Sequence, residues 1–132
     1  MNERPTRTLT ENLLVSTLGD WAYASWAIPD VVGSGEFGAD LVRSSTLGLI
    51  AEVVLTGLIQ AGDVVDGVHV PWECSPAEAV ERIVLEWLRD WSEEVPTPGA
   101  IVWLDVTAKG RLVAEAVLAR EESAQRGNGS KP

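Results

Sequence analysis

Apolar residues along this chain fall into two rhythms, one near the 3.6-residue period of a helix and one alternating, and most elements can be placed from them. Leu13, Leu14, Thr17 and Leu18 share a helical face behind Thr10, a candidate N-cap. Asp20 can cap a second helical piece in which Trp21, Ala24, Ser25 and Ile28 line one side, closed by Pro29. The run Gly33-Ser34-Gly35-Glu36-Phe37-Gly38 has loop composition. A third helix is predicted from Asp40 to Gln60, turning Leu41, Leu47, Ile50, Val54, Leu58 and Ala61 inward, with Gly62 following its C-terminus.

The rhythm then changes. Asp63-Val64-Val65-Asp66-Gly67-Val68-His69-Val70 reads as two extended pieces about an Asp-Gly turn, a short hairpin. Ser75-Pro76-Ala77-Glu78 is a capping box with proline at the first helical position. It opens a helix over Pro76–Trp91 whose Val80, Ile83, Val84, Trp87, Leu88 and Trp91 form one stripe. Beyond a loop holding Pro96, Pro98 and Gly99, Ala100–Val106 alternates as a strand, with Val102, Leu104 and Val106 on one face and Ile101, Trp103 and Asp105 on the other. Thr107 can cap a last helix presenting Leu112, Val113, Ala116 and Val117. Three helices, a hairpin, a helix, a strand and a helix make an α+β fold, mainly α and winged-helix-like, its wing enlarged by the inserted helix. Residues 1–8 and 122–132 are polar and read as an N-terminal and a flexible C-terminal tail around one domain, 9–121.

Composition narrows the picture. A length of 132 residues is that of one domain, and 45% apolar with 23% charged residues excludes extensive disorder. One cysteine excludes a disulfide scaffold. Arg4 and Arg7 followed by Leu13-Leu14-Val15 and Ala22-Tyr23-Ala24 imitate a secretory signal, but Glu11, Asn12 and Asp20-Trp21 break its apolar segment. The longest apolar run, Leu47–Ala61, carries Glu52 and Gln60 and falls short of the ~20 residues that cross a bilayer. These features point to a cytoplasmic protein without a membrane segment.

Charge is the outlier, at −10. Between Thr8 and Glu81 stand eleven acidic residues (Glu11, Asp20, Asp30, Glu36, Asp40, Glu52, Asp63, Asp66, Glu73, Glu78 and Glu81) against Arg43 alone. The third helix and hairpin, which in a DNA-reading winged helix meet the duplex, are therefore acidic. Nucleic-acid affinity rests on Lys and Arg displacing counterions, so direct binding to nucleic acid is disfavoured. Such a face suits a basic partner, with carboxylates Glu52, Asp63, Asp66 and Glu73 and with Trp72 as an apolar anchor. Trp103 and Trp26 are further candidates, while Trp87 and Trp91 lie on the core stripe.

Candidate catalytic chemistry is sparse. His69 is the one histidine and lies between valines of a strand, so a structural role is the simpler reading, and an enzyme needs it in a cleft beside carboxylates. Cys74 reads as a small buried hydrophobe. One Cys and one His cannot complete a zinc site, and neither Asp63 with Asp66 nor Glu93 with Glu94 has the ligand density of a calcium loop. Gly33, Gly35 and Gly38 lie beside Glu36 and Asp40, which would repel phosphate. No cofactor is implied.

Three segments carry a resemblance: Leu58-Ile59-Gln60-Ala61-Gly62-Asp63-Val64-Val65-Asp66-Gly67, Pro71-Trp72-Glu73-Cys74-Ser75-Pro76-Ala77-Glu78-Ala79-Val80-Glu81-Arg82-Ile83, and Pro98 to Gly110 with its Val106-Thr107-Ala108-Lys109-Gly110 ending. They resemble a family of small actinobacterial winged-helix-like proteins that includes immunity proteins of contact-dependent growth inhibition and other polymorphic toxin systems. The resemblance implies no catalytic residue. It implies a monomer that pairs with a cognate toxin, and the acidity points to a cationic nuclease as that toxin. The alternative is a winged-helix transcriptional regulator contacting DNA through Arg4, Arg7, Arg43, Lys109 or Arg111.

Overall fold

The computed structural model describes residues 7–27, 38–92 and 94–129. Along the chain lie α1 (Leu9–Ser16), β1 (Ala22–Tyr23), a 3-10 turn (Ala24–Ala27), α2 (Ala39–Leu55), β2 (Ile59–Val65), β3 (Val68–Pro71), α3 (Pro76–Asp90), β4 (Trp103–Val106) and α4 (Ala108–Gly129). The fold is α+β and mainly helical, around an antiparallel sheet in the order β1-β4-β2-β3.

Local chemistry explains where elements begin and end. α1 starts two residues earlier than Thr10 suggests: Thr8 is its cap, its hydroxyl accepting from the Glu11 N–H while the Glu11 carboxylate accepts from the Thr8 N–H. α2 ends at Leu55 and not at Gln60. Gly57, at φ +77, donates its N–H to Val54 O and Leu58 donates to Val53 O, a two-bond helix stop that frees the next residues for β2. The stretch after Asp20 is not an α-helix. Ala22 and Tyr23 pair with Leu104 and Trp103 of β4, so the sheet captures them, and Ile28 and Pro29 lie outside the described residues. At β4 the strand begins at Trp103 and not at Ala100, because Ile101 sits at φ +71 in a tight turn closed by Val102 N–H to Ala100 O. The C-terminal helix continues to Gly129, so residues 122–129 are helical where a polar tail is predicted.

The core lies between one face of the sheet and the helices. Ile59 and Ala61 of β2 and Leu104 and Val106 of β4 meet Leu13 and Leu14 of α1, Ile50 and Val53 of α2, Ile83 and Trp87 of α3 and Ala114 of α4. Several expected inward positions differ. Leu41 and Leu88 are exposed, and on α4 the buried stripe runs through Gly110, Ala114 and Val117, leaving Leu112, Val113 and Ala116 outside.

The Thr-x-Lys-Gly segment ties α4 to the end of α2. The Thr107 hydroxyl donates to Gly57 O at 2.6 Å and accepts from the Gly110 N–H at 3.0 Å, while Thr107 N–H donates to Leu58 O at 3.0 Å. Lys109 Nζ donates to Thr56 O at 2.9 Å, placing an ammonium on the negative end of the α2 dipole. Gly110 permits this approach, since a Cβ there would lie 2.0 Å from Leu58 O. At the other end α1 and α4 are joined by two forked ion pairs, Arg7 with Glu121 at 2.7 and 2.8 Å and Arg120 with Glu11 at 3.0 and 3.3 Å. Arg7 and Thr8 thus belong to the folded body, although residues 1–8 read as a tail.

Candidate functional site

The β2–β3 hairpin brings the acidic candidates together. Asp66 and Gly67 form its two-residue turn at φ +52 and +75, the left-handed pair that a right-twisted hairpin favours. Register pairs Val65 with Val68 and Asp63 with Val70 on one face, and Val64 with His69 and Gly62 with Pro71 on the other. β2 starts in the core at Ile59 and Ala61, then outruns the helical layer, so the same face becomes solvent-exposed at Asp63 and Val65. Val65, Val68 and Val70 are 52%, 59% and 46% exposed. They form an apolar strip bordered by Asp63, Asp66 and, past the end of β3, Glu73, all exposed. The valines were missed as site residues in the sequence, although the alternation about Asp66-Gly67 already aligned them on one face.

Trp72 has a different place from a free anchor. Its backbone N–H donates to Ala61 O, extending the ladder by one bond, and its indole N–H donates to Asp63 Oδ2 at 3.0 Å. The Arg82 guanidinium carbon lies 3.7 Å from the ring centroid, covering one face with a cation. Trp72 is half-buried against the core and braces the hairpin root to α3. Glu52, exposed on α2, accepts from the Thr10 hydroxyl of α1 and so makes its contact at the α1–α2 junction and not within the hairpin group.

The remaining titratable side chains divide by partner. Glu121 is held below the usual carboxylate range chiefly by the hydrogen bond from Arg7, and Glu11 by those from Arg120 and then the Thr8 backbone. Glu78 is lowered by the Ser75 backbone N–H and then its hydroxyl, the capping box of α3. Arg43 donates to Asp40 and to Ser92 O. His69 stands beside no catalytic carboxylate through its nitrogens: Nε2 is 3.0 Å from Trp103 O, and Nδ1 is buried without a hydrogen-bond partner. Since a carbonyl only accepts, Nε2 carries the proton in the neutral ring. Cys74, expected buried, is exposed in the bend before α3, because β3 has ended and its N–H turns back to Trp72 O.

Among the described residues no group of three or more His, Cys, Asp or Glu is placed to hold a metal ion, and no helix is long and apolar enough to cross a membrane. Glu93 lies outside the described residues, as do Gly33 and Gly35, and Trp26 contributes no described side chain. An open groove of about 370 Å³ along α3 is lined by Glu78, Glu81, Arg82, Leu85, Glu86 and Arg89. All six side chains come from one helix, so the groove has no second wall to enclose a small molecule. Comparison with known proteins finds no match to this chain among protein-family models, curated proteins or solved structures.

Proposed function

We propose that this protein is a non-enzymatic immunity protein that binds a basic toxin domain, a cationic nuclease, and occludes its active site. The observation that carries the reading is the projecting hairpin, an apolar strip of Val65, Val68 and Val70 within a border of Asp63, Asp66 and Glu73. Nuclease toxins need basic surfaces for their substrate. A carboxylate-bordered strip offers such a surface both long-range attraction and apolar area to bury. Trp72 then acts by fixing the hairpin root, and the protein works as a monomer in a one-to-one complex in the cytoplasm.

The winged-helix-like description belongs to this proposal. In it β2 and β3 are the wing and α3 the element inserted before the returning strand β4. The competing regulator reading needs free cations toward DNA. Arg7 is joined to Glu121, Arg43 to Asp40 and Ser92 O, and Lys109 to Thr56 O, each serving the fold. Arg111 is exposed, and Arg4 lies outside the described residues.

The test takes the product of the neighbouring open reading frame as the candidate toxin, with association and dissociation rates measured at low and high salt. Asp63→Asn, Asp66→Asn and Glu73→Gln should slow association most at low salt, since exposed charges are screened beyond ~8 Å at physiological ionic strength. Val68→Ser should speed dissociation, and Glu52→Gln should change little. Trp72→Ala should act through the hairpin and lower stability as well as affinity. Absence of binding would overturn the reading, and a tight sequence-selective shift of promoter DNA would overturn it in favour of the regulator.

A further inference from the structure

The face of the sheet opposite the core carries a cluster of aromatic rings. Tyr23 of β1, Trp103 of β4, Gly62 of β2 and Pro71 of β3 stand in one register row, so their side chains share this face. Trp21, two residues before Tyr23, joins them. Trp103 is the centre: its ring meets Trp21 at 6.5 Å and 75° and Tyr23 at 5.7 Å and 87°, so the three rings pack edge to face as one cluster, with the Gly99 backbone against the Trp103 indole. His69 closes the third side, 6.4 Å from Trp21, and holds the Trp103 carbonyl through Nε2.

Gly62 keeps the row open for that ring. A Cβ there would lie 2.7 Å from His69 Cε1 and 2.3 Å from Val70 O, so no larger residue fits beneath the histidine. Trp21, Tyr23, His69 and Trp103 are all half-buried, in contrast to the fully buried Ala22, Ala61 and Leu104 on the other face. Two carboxylates flank the rings. Asp105 follows Trp103 at the next position on this face, and exposed Asp20 accepts from the Trp21 N–H.

We propose that this aromatic face, centred on Trp103, is a recognition site for a cationic side chain of a protein partner, arginine before lysine. Partly exposed aromatic rings beside carboxylates attract a cation through ring quadrupole and charge together, and a planar guanidinium can stack on an accessible ring face while donating to Asp105. The chain already displays the same contact internally, with Arg82 over Trp72 at 3.7 Å. Charge chooses the occupant. At −10 the protein repels a phosphate-bearing ligand and has no comparable repulsion for a cation. The site lies on the opposite face of the sheet from the valine strip, so it is a second contact surface. It rests on the proposed immunity reading only for the identity of its natural occupant.

The experiment needs no toxin. N-acetyl-arginine amide is titrated into the whole protein labelled with 15N, and the indole N–H resonances of Trp21 and Trp103 are followed against that of buried Trp87. The uncharged isostere N-acetyl-citrulline amide and methyl glucoside serve as controls. Saturable shifts at Trp21 and Trp103 with the arginine compound are expected, and Asp105→Asn and Tyr23→Leu should each weaken them by about two- to fivefold, the worth of one exposed cation contact. An undisturbed Trp87 resonance shows that a variant is folded. Equal shifts with the citrulline compound, larger shifts with the glucoside, or no shift at Trp21 and Trp103 would each overturn the proposal. Toxin affinity measured on Asp63→Asn is independent of this titration, so either inference can fail while the other stands.

Discussion

Thr46 offers a sharp test of how the core is built. It lies on the packed side of α2 at 0% exposure, and its hydroxyl has no hydrogen-bond partner. An unsatisfied buried hydroxyl costs about 1–3 kcal/mol by comparison with an apolar group of the same shape. Valine is that group, replacing the hydroxyl by a methyl at nearly constant volume, and its helix propensity is close to that of threonine, so the helix adds no opposing cost. Thr46→Val should therefore stabilise the protein by about 1–3 kcal/mol. With a urea slope of about 1–3 kcal/mol/M, a gain of 2 kcal/mol moves the unfolding midpoint up by roughly 0.7–2 M. The assay is urea unfolding followed by tryptophan fluorescence, with the slope unchanged. Thr46→Ser is the counterpart: it keeps the stranded hydroxyl and deletes a methyl, and should lower stability by about 1 kcal/mol. If Thr46→Val leaves the midpoint unchanged or lowers it, the hydroxyl is satisfied in solution, for instance by a carbonyl one turn earlier in α2, and the reasoning fails.

Other expectations follow from single contacts. Trp87, 2% exposed in the last turn of α3, should cost about 3–5 kcal/mol on truncation to alanine; a loss under about 1 kcal/mol in the same urea assay would remove it from the core. Gly110→Ala drives a Cβ to 2.0 Å from Leu58 O and must push α4 off the α2–β2 turn, so its loss should exceed about 2 kcal/mol, whereas Ala108→Gly at the exposed neighbouring turn should cost about 1 kcal/mol or less. The pH dependence follows from Glu11 and Glu121, both held below their ordinary value of 4.5 by arginine. A depressed folded-state value adds stability that is present above the unfolded-state value and lost as pH falls through the folded one, so the α1–α4 clamp should weaken below about pH 4.5. Glu121→Gln should flatten that part of a thermal-stability profile, and an unchanged acid slope would show that the pair contributes nothing.

Much of the framework was legible in the linear chain because local signals there had no competitor. The Ser75–Glu78 capping box with Pro76 fixes the start of α3, and Asp66-Gly67 between β-branched runs fixes the hairpin turn. Thr107 announces α4, and the alternation at Val102, Leu104 and Val106 names the buried face of β4. The acidity of the hairpin was equally readable, since carboxylates three residues apart around a two-residue turn have nowhere to go but outward.

Tertiary structure decided where local propensity was ambiguous. Leu58 and Ala61 continue the helical period of α2, and only the stop at Thr56-Gly57, with the demand of β4 for a neighbour, turns them into sheet. Ala22 and Tyr23 belong to a strand because Leu104 and Trp103 supply the ladder they lack alone. The last helix turns Ala114 inward beside the expected Val117 and leaves Leu112, Val113 and Ala116 outside, since Gly110 must pass against Leu58 and sets the rotation of the whole helix. Trp72 could be recognised as a tryptophan among carboxylates, but whether its ring met a partner or Arg82 depended on α3 folding back over the hairpin root. The aromatic face around Trp103 gathers residues from three distant stretches of chain, β1, the β2–β3 hairpin and β4, and no periodicity within any one of them could have announced it. Periodicity reports which way a side chain points within its own element, and the identity of its neighbours is settled only when the elements pack.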